Sequence, residues 1–450
     1  MSVHDLVAHN AGRYVGWLSE ACSIPSLAGR PHDLEAMAAW LENRLRALGA
    51  HVQPLEYGTA PQAWLGTLGS GDRSVLVYDH YDVQPPDPLG QWTSEPFSPE
   101  VRSGVFFARG AADNKGDLVA RLAALEVYAE EFGQLPVTMK FLIEGEEETG
   151  SKNFDVLAGR YGGVLLADGC IWEGNGIDHS DHPQLVFGAK GLAYIELTCR
   201  LLNDDQHSAV AVIAPSAAWR LIEALSTLRS SDGRVLIDGF YNDVVAPSPS
   251  DLAMIEALPF EEDAERARLG TDSFVGGAGG AELKRRYYFE PTCNIAGIYA
   301  GFIEPGMSKT VLPREATAKI DMRLVPDQDP DDIVAKVRKH LATNGFGDIE
   351  LTYYSMEHPV RSPSDSLIGR AAVDACSDVF DRPPAVSPMM IGTGPMYPIA
   401  HTLGIPTVSP AGIARPDSNL HAPNENIRID DYLKIIEYTV AWLRRYGEIR

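Results

Sequence analysis

Helix and strand signals alternate along this chain from one end to the other, and that alternation limits the fold to the α/β class. An amphipathic helix is expected over 32–48, where Leu34, Met37, Leu41, Leu45 and Leu48 recur at helical spacing. Residues 74–78 read SVLVY, a short buried strand. Residues 117–131 suit a helix, 137–144 (VTMKFLIE) a strand, 163–167 (GVLLA) another strand, and about 430–446 a final helix.

The middle of the chain has a different rhythm. A long alternating strand at 192–201 precedes a helix at 215–227. Strands near 293–300 and 315–324, a helix at 330–343 and a strand at 348–354 follow. That order, βαββαβ, is the pattern of a ferredoxin-like unit. Its first helix and second strand are separated by about 229–290, rich in Gly, Pro and charge, where an irregular lobe is expected. The simplest parse is a discontinuous α/β domain, about 1–187 plus 358–450, with a smaller domain inserted near 188–357. A chain of 450 residues also exceeds what one hydrophobic core usually organises.

With 45% hydrophobic and 22% charged residues, the composition is that of a globular protein, neither disordered nor fibrous. No apolar run is long enough to cross a bilayer, and MSVHDLVAHN lacks the basic and apolar regions of a signal peptide. The cysteines, Cys22, Cys170, Cys199, Cys293 and Cys376, show no paired spacing and suit a reducing compartment, so a cytoplasmic address is expected. A net charge of −24 opposes binding to nucleic acid or anionic membranes.

The polar residues that carry chemistry cluster at the carboxyl ends of expected strands, the edge where open α/β sheets bind ligands. His80 and Asp82 follow SVLVY, and Asp113 precedes a helix. Glu146, Glu147 and Glu148 follow VTMKFLIE, Asp168 ends GVLLAD, and His421 lies in SNLHAPNENI. Imidazole and carboxylate together suit zinc, or manganese and cobalt. Two histidines with three or more carboxylates exceed the needs of one tetrahedral ion, so two ions sharing a carboxylate is the simplest arrangement. Each motif alone has a plainer explanation: a surface histidine, a solvated glutamate run, a turn aspartate.

The runs YDHYDVQP, QWTSEPFSPEVRSGVFFARGAADNKGD, EGEEETGS, GFYNDV, KTVLP with RLVPDQDP, and HAPNENI together resemble the M20 family of co-catalytic zinc peptidases. The nearest likeness is to the branch of carnosinases and cytosolic non-specific dipeptidases. The resemblance implies two divalent ions, zinc before manganese or cobalt. It implies His80, Asp113, Glu148, Asp168 and His421 as ligands, with Asp113 bridging and the peptide bond after it cis. Asp82 would orient His80, Glu147 would be the general acid–base, and Glu146 a bystander. The family tends to have Asp at the position matched to Asp168 in dipeptidases, and Glu in deacylases and glutamate-releasing carboxypeptidases.

For the inserted domain the resemblance implies a lid and a homodimer interface. His207 resembles a histidine that steadies the oxyanion in the partner's site, and Thr310 another residue given across the dimer. Arg323 resembles the arginine that grips the substrate carboxylate, a task its planar guanidinium suits. Asn294 and Thr393 complete the expected substrate contacts. One stretch departs from the branch: where an Arg-Glu pair is expected, SPMMIGTGPMYP carries Met389 and Met390. Two thioethers in a substrate pocket would not bind an ammonium ion by charge. Cys170 reads as a small buried residue.

The expected function is therefore two-metal hydrolysis of a dipeptide or related small amide bearing a free carboxylate, with Glu147 as base on an activated water. The alternatives are an N-acyl-amino-acid amidohydrolase on the same scaffold, favoured by the two methionines, and, more remotely, a metal-binding protein without catalysis.

Overall fold

A computed structural model describes residues 1–56 and 63–449. The chain divides into two compact units. One comprises Met1–Gly188, Arg361–Pro388 and Pro395–Arg450, the other Ala189–Val360 and Met389–Gly394. The inserted unit thus ends at Val360, a few residues beyond the expected 357. It also claims Met389–Gly394, which the sequence parse left in the catalytic part.

The first unit is built on a six-stranded mixed sheet. Its strands run in the order His51–Leu55, Ala63–Leu68, Thr138–Glu144, Ser74–His80, Cys170–Trp172 and Thr407–Val408. The last four are mutually parallel. The Ser74–His80 strand is central and buried along all but its first residue, as its uninterrupted apolar run requires of a parallel strand covered on both faces. The helix Lys115–Phe132 is buried from Lys115 through Leu125. It packs against the helices Val3–Cys22 and Ile429–Glu448. The first of these starts at a capping box in which Ser2 Oγ accepts from Asp5 N at 3.1 Å.

One expected element is wrong, and the error matters for the site. Residues 163–167 are not a strand: Gly163 to Leu165 close the helix Phe154–Leu165, with Leu166 N bonded to Gly162 O at 3.0 Å. A short apolar run cannot distinguish a buried strand from a helix end by periodicity. The strand in this part of the sheet is Cys170–Trp172.

The second unit has a four-stranded antiparallel sheet, ordered Asn294–Ala300, Glu315–Leu324, Gly191–Arg200, Glu350–Glu357. With the helices Ala217–Ser226 and Pro330–Thr343, this is the ferredoxin-like arrangement. Alternate residues of the strands (Ile195, Leu197, Ile320, Met322) meet Leu221, Val337 and Leu341 of the helices in one core. The lobe expected to be irregular instead contains three helices, Pro249–Ala257, Glu262–Leu269 and Gly280–Phe289. Ile255 and Phe289 from this lobe bury Met389 completely. Met389 is therefore a core side chain rather than a pocket wall, and only Met390 is partly exposed.

Candidate metal centre

The parallel strands of the first unit deliver their carboxyl ends to one edge. His80 is the last residue of the central strand and is fully buried. Its register partner, Glu144, ends the neighbouring strand, and the turn after it carries Glu147 and Glu148. Asp113 stands just before the helix Lys115–Phe132, in a tight turn whose Asp113–Asn114 peptide is cis. His421 comes from a turn late in the chain, with φ of 59°.

These segments converge on the Asp113 carboxylate. Its Oδ1 lies 3.2 Å from His80 Nε2 and its Oδ2 2.9 Å from His421 Nε2. His421 Nε2 is also 3.2 Å from Glu148 Oε2. Glu147 Oε2 lies 3.9 Å from His80 Nε2. Ligand atoms of Asp113, Glu148 and His421 all fall within 4.8 Å of one another. Asp82 holds the geometry from behind. It faces His80 Nδ1 at 3.3 Å through Oδ1, and its carboxylate accepts from the backbone amides of Glu147 at 3.3 Å and Glu148 at 3.0 Å. One aspartate thus orients both an imidazole and the glutamate turn.

The charges match this crowding. Burial alone would lower the His80 pKa, but hydrogen bonds to Asp113 and Asp82 outweigh it and hold the imidazole well above its usual range. Hydrogen bonding to Asp113 and then Glu148 raises His421 to about 10. Asp113 is pulled up by burial, yet the two imidazoles keep it well below the usual carboxylate range. Glu147 is pushed up to about 7, first by burial and then by Asp113 and Glu148, against the opposing pull of His80. A carboxyl poised near neutrality beside the cluster is what a general acid–base requires.

Asp168 does not join this group. It is exposed, and its Oδ2 accepts from Ser74 N at 2.7 Å and Ser74 Oγ at 2.9 Å. Ser74 is the first residue of the strand that ends at His80. At about 3.3 Å per residue, Asp168 sits about 20 Å away, at the opposite end of the sheet. Its expected role depended on GVLLAD being a strand that ends at the aspartate.

The residue at the active edge is Glu173, directly after Cys170–Trp172, with its N–H donating to Tyr78 O at 3.0 Å. Its Oε1 is sealed from solvent and has no hydrogen-bond partner among the described residues. Burial, then the charge of Glu147, raises its pKa well above the usual range. The run CIWEG contains the signal, an apolar stretch followed by a carboxylate, but only the sheet register distinguishes it from GVLLAD. Gln84 was also missed: its Nε2 donates to Glu148 Oε2 at 3.0 Å and to Glu148 O at 3.1 Å. Glu146 turns away from the cluster and accepts from Asn153 N and Nδ2. Cys170 is a buried strand residue.

In the second unit, His207 and Thr310 lie together. Thr310 Oγ1 is 3.4 Å from His207 Nε2, and the short strands Gln206–His207 and Val311–Leu312 pair. Arg323 donates through a guanidinium nitrogen to Thr393 Oγ1. Asn294 is instead engaged with Asp321, its Nδ2 donating to Oδ1 at 2.7 Å.

The profile of peptidase family M20/M25/M40 matches residues 76–445. The chain belongs to this family. A solved M20 family metallo-carboxypeptidase, Sso-CP2 from Sulfolobus solfataricus, is 35% identical over 97% of this chain and 99% of that one, with a TM-score of 0.89. The Cys-Gly metallodipeptidase dug1 of Schizosaccharomyces pombe is 26% identical over 99% of this chain and 98% of its own length. The Beta-Ala-His dipeptidase of Homo sapiens is 28% identical over 97% and 90%. This chain is thus an M20 metallopeptidase. Its residues fit the metal that the family name implies: an aspartate with an imidazole on each oxygen, a ligand set within 4.8 Å, and a sealed Glu173 oxygen without a partner. Among the described residues, no helix is long and apolar enough to cross a membrane.

Proposed function

We propose that this M20 peptidase hydrolyses dipeptides with two divalent ions, zinc before manganese or cobalt. His80 and Glu173 would hold one, Glu148 and His421 the other, with Asp113 bridging. The observation that carries this reading is the Asp113 carboxylate, one oxygen toward each imidazole. When bound, such ions polarise the scissile carbonyl and lower the pKa of a water.

The chain's own residues do the rest. Asp82 fixes the ring of His80, and Gln84 steadies the carboxylate of Glu148. Glu147 accepts the proton of the attacking water and delivers it to the leaving amine. Arg323, beside Thr393, grips the substrate's terminal carboxylate. His207, paired with Thr310, reaches the oxyanion in the partner's site of a homodimer. The acidic charge and scattered cysteines support a cytoplasmic protein that binds neither nucleic acid nor membrane.

A second reading has its own support. An aspartate at the matched ligand position would favour dipeptidases over deacylases, but the carboxylate that directly follows the sheet strand Cys170–Trp172 is Glu173. With the 35% identity to a metallo-carboxypeptidase, this favours an enzyme that reads the carboxyl end and tolerates a blocked amino terminus. The deciding experiment is amino-acid release by the zinc-loaded protein from matched dipeptides, free and N-acylated. Faster release from the free set supports the dipeptidase. Faster release from the acylated set moves the enzyme to carboxypeptidase or deacylase chemistry. Absence of release from both would overturn peptide hydrolysis.

A further inference from the structure

Glu425 is completely buried and lies four positions after His421. Its carboxylate collects four donors from the segment that ends at Asp113. Oε2 accepts from Arg109 at 2.7 Å and from Gly110 N at 2.9 Å. Oε1 accepts from Ala112 N at 2.8 Å and Asp113 N at 3.0 Å. Just upstream, Val105–Phe107 pairs with Asn426–Arg428, and Ala108 N donates to Glu425 O at 3.1 Å. Where that pairing stops, the Glu425 side chain takes over and follows the turn to the aspartate.

We propose that Glu425 is a positioning residue that locks the Asp113 turn to the His421 turn, so that one carboxylate can serve two ions. The inference rests on the two-ion reading above. A turn is a poor platform for a ligand that must satisfy two ions, because its backbone lacks the ladder bonds of a strand. Here a carboxylate holds three amide donors of that turn, Gly110, Ala112 and Asp113, and charge-assisted bonds of this kind are the strong ones. The same residue belongs to the turn carrying His421, so its loss lets two ligands drift independently. A residue that served only to bury an ion pair with Arg109 would need neither the amides nor this place in the chain.

The test compares Glu425→Gln, Arg109→Lys and the double variant Arg109→Gln/Glu425→Gln, as full chains. Each is titrated with Co²⁺ by calorimetry and visible absorption, and its unfolding temperature is measured in chelator. Glutamine cannot accept at both ends, so Glu425→Gln should bind its second Co²⁺ about tenfold or more weakly, with a changed d–d band. Arg109→Lys leaves the three amide bonds in place and should bind both ions as the natural chain does, even if it melts earlier. The double variant removes the stranded charge and carries the test if Glu425→Gln does not fold; it should melt later than Glu425→Gln and still lose the second ion. Unchanged Co²⁺ affinity in a folded variant lacking the carboxylate would overturn the proposal. So would affinities that merely follow unfolding temperature across the three variants. If the natural chain takes up one Co²⁺ only, the two-ion reading fails, and the same comparison on that ion decides whether Glu425 positions its ligands.

Discussion

His421 Nε2 lies 2.9 Å from Asp113 Oδ2, although 308 positions separate the two residues in the chain. With His80 Nε2 at 3.2 Å from the other oxygen, the aspartate already spans the gap that two ions would share. Three segments remote in sequence meet at one carboxylate: His80 ends a strand of the parallel sheet, while the turns of Asp113 and His421 are tied together by the antiparallel pairing of Val105–Phe107 with Asn426–Arg428.

Glu147 is the acid–base candidate, with its Oε2 3.9 Å from His80 Nε2. Glu147→Gln should lower kcat by about 10²- to 10⁴-fold while leaving metal content and unfolding temperature close to those of the natural chain. Steady-state kinetics with metal analysis checks this. Full turnover by a metal-replete variant would remove Glu147 from the chemistry.

Glu173 and Asp168 give a paired prediction. Glu173→Ala should reduce bound metal to about one ion per chain and abolish most activity, since it deletes a proposed ligand. Asp168→Ala loses two bonds to Ser74 at the far end of the sheet. Its cost should be about 1 kcal/mol of stability or less, with metal content and kcat intact. Elemental analysis of both variants decides; the opposite pattern would restore Asp168 as the ligand.

Metal uptake should release protons. Without ions, His80 is held well above its usual range and His421 is raised to about 10, so both imidazoles carry protons near neutrality. A metal must displace them, so apparent affinity rises with pH. For the ion-free fold the sign is the reverse. Raised histidine pKa values add stability below about 6.5, and that stability is lost as pH climbs toward 10. Calorimetric titration in buffers of different ionisation enthalpy reads the proton count. A heat independent of buffer would contradict the protonated cluster.

Glu144, the register partner of His80, offers a stability test at a side chain outside the proposed ligand set. It is buried, accepts from Tyr78 and from Ser151 Oγ at 2.7 Å, and its other oxygen has no partner among the described residues. Burial raises its pKa from 4.5 to about 8. A raised folded-state pKa on a carboxyl favours folding below 4.5, and the advantage fades as pH rises from 4.5 to 8. Glu144→Gln cannot ionise, so its unfolding free energy relative to the natural chain should increase across that window. Urea titrations at pH 4.5 and 8 measure the difference. A constant difference would mean that Glu144 is ionised in the fold throughout.

The chain's local patterns carried most of the architecture. The SVLVY strand, the 330–343 helix and the βαββαβ order were all legible, because each is set by periodicity within a few residues of sequence. His80, Glu147 and Glu148 were visible as polar residues following strands, and the M20 resemblance singled them out together with Asp113 and His421 as candidate site residues. Even the three helices of the 229–290 lobe were obscured only by their Gly, Pro and charge content.

What the sequence could not decide was which of two short apolar runs, GVLLA or CIW, lies in the sheet. Both are compatible with burial, and the choice between Asp168 and Glu173 follows from it. Strand partners settle that question: Cys170–Trp172 pairs with Leu76, Val77 and Tyr78, which brings Glu173 to the carboxyl edge and leaves Asp168 beside Ser74. Met389 shows the same limit, since its burial against Ile255 and Phe289 depends on residues about a hundred positions away or more. Residue identity and local period are properties of short stretches of chain, whereas which edge of a sheet a residue reaches is set by register with a distant strand.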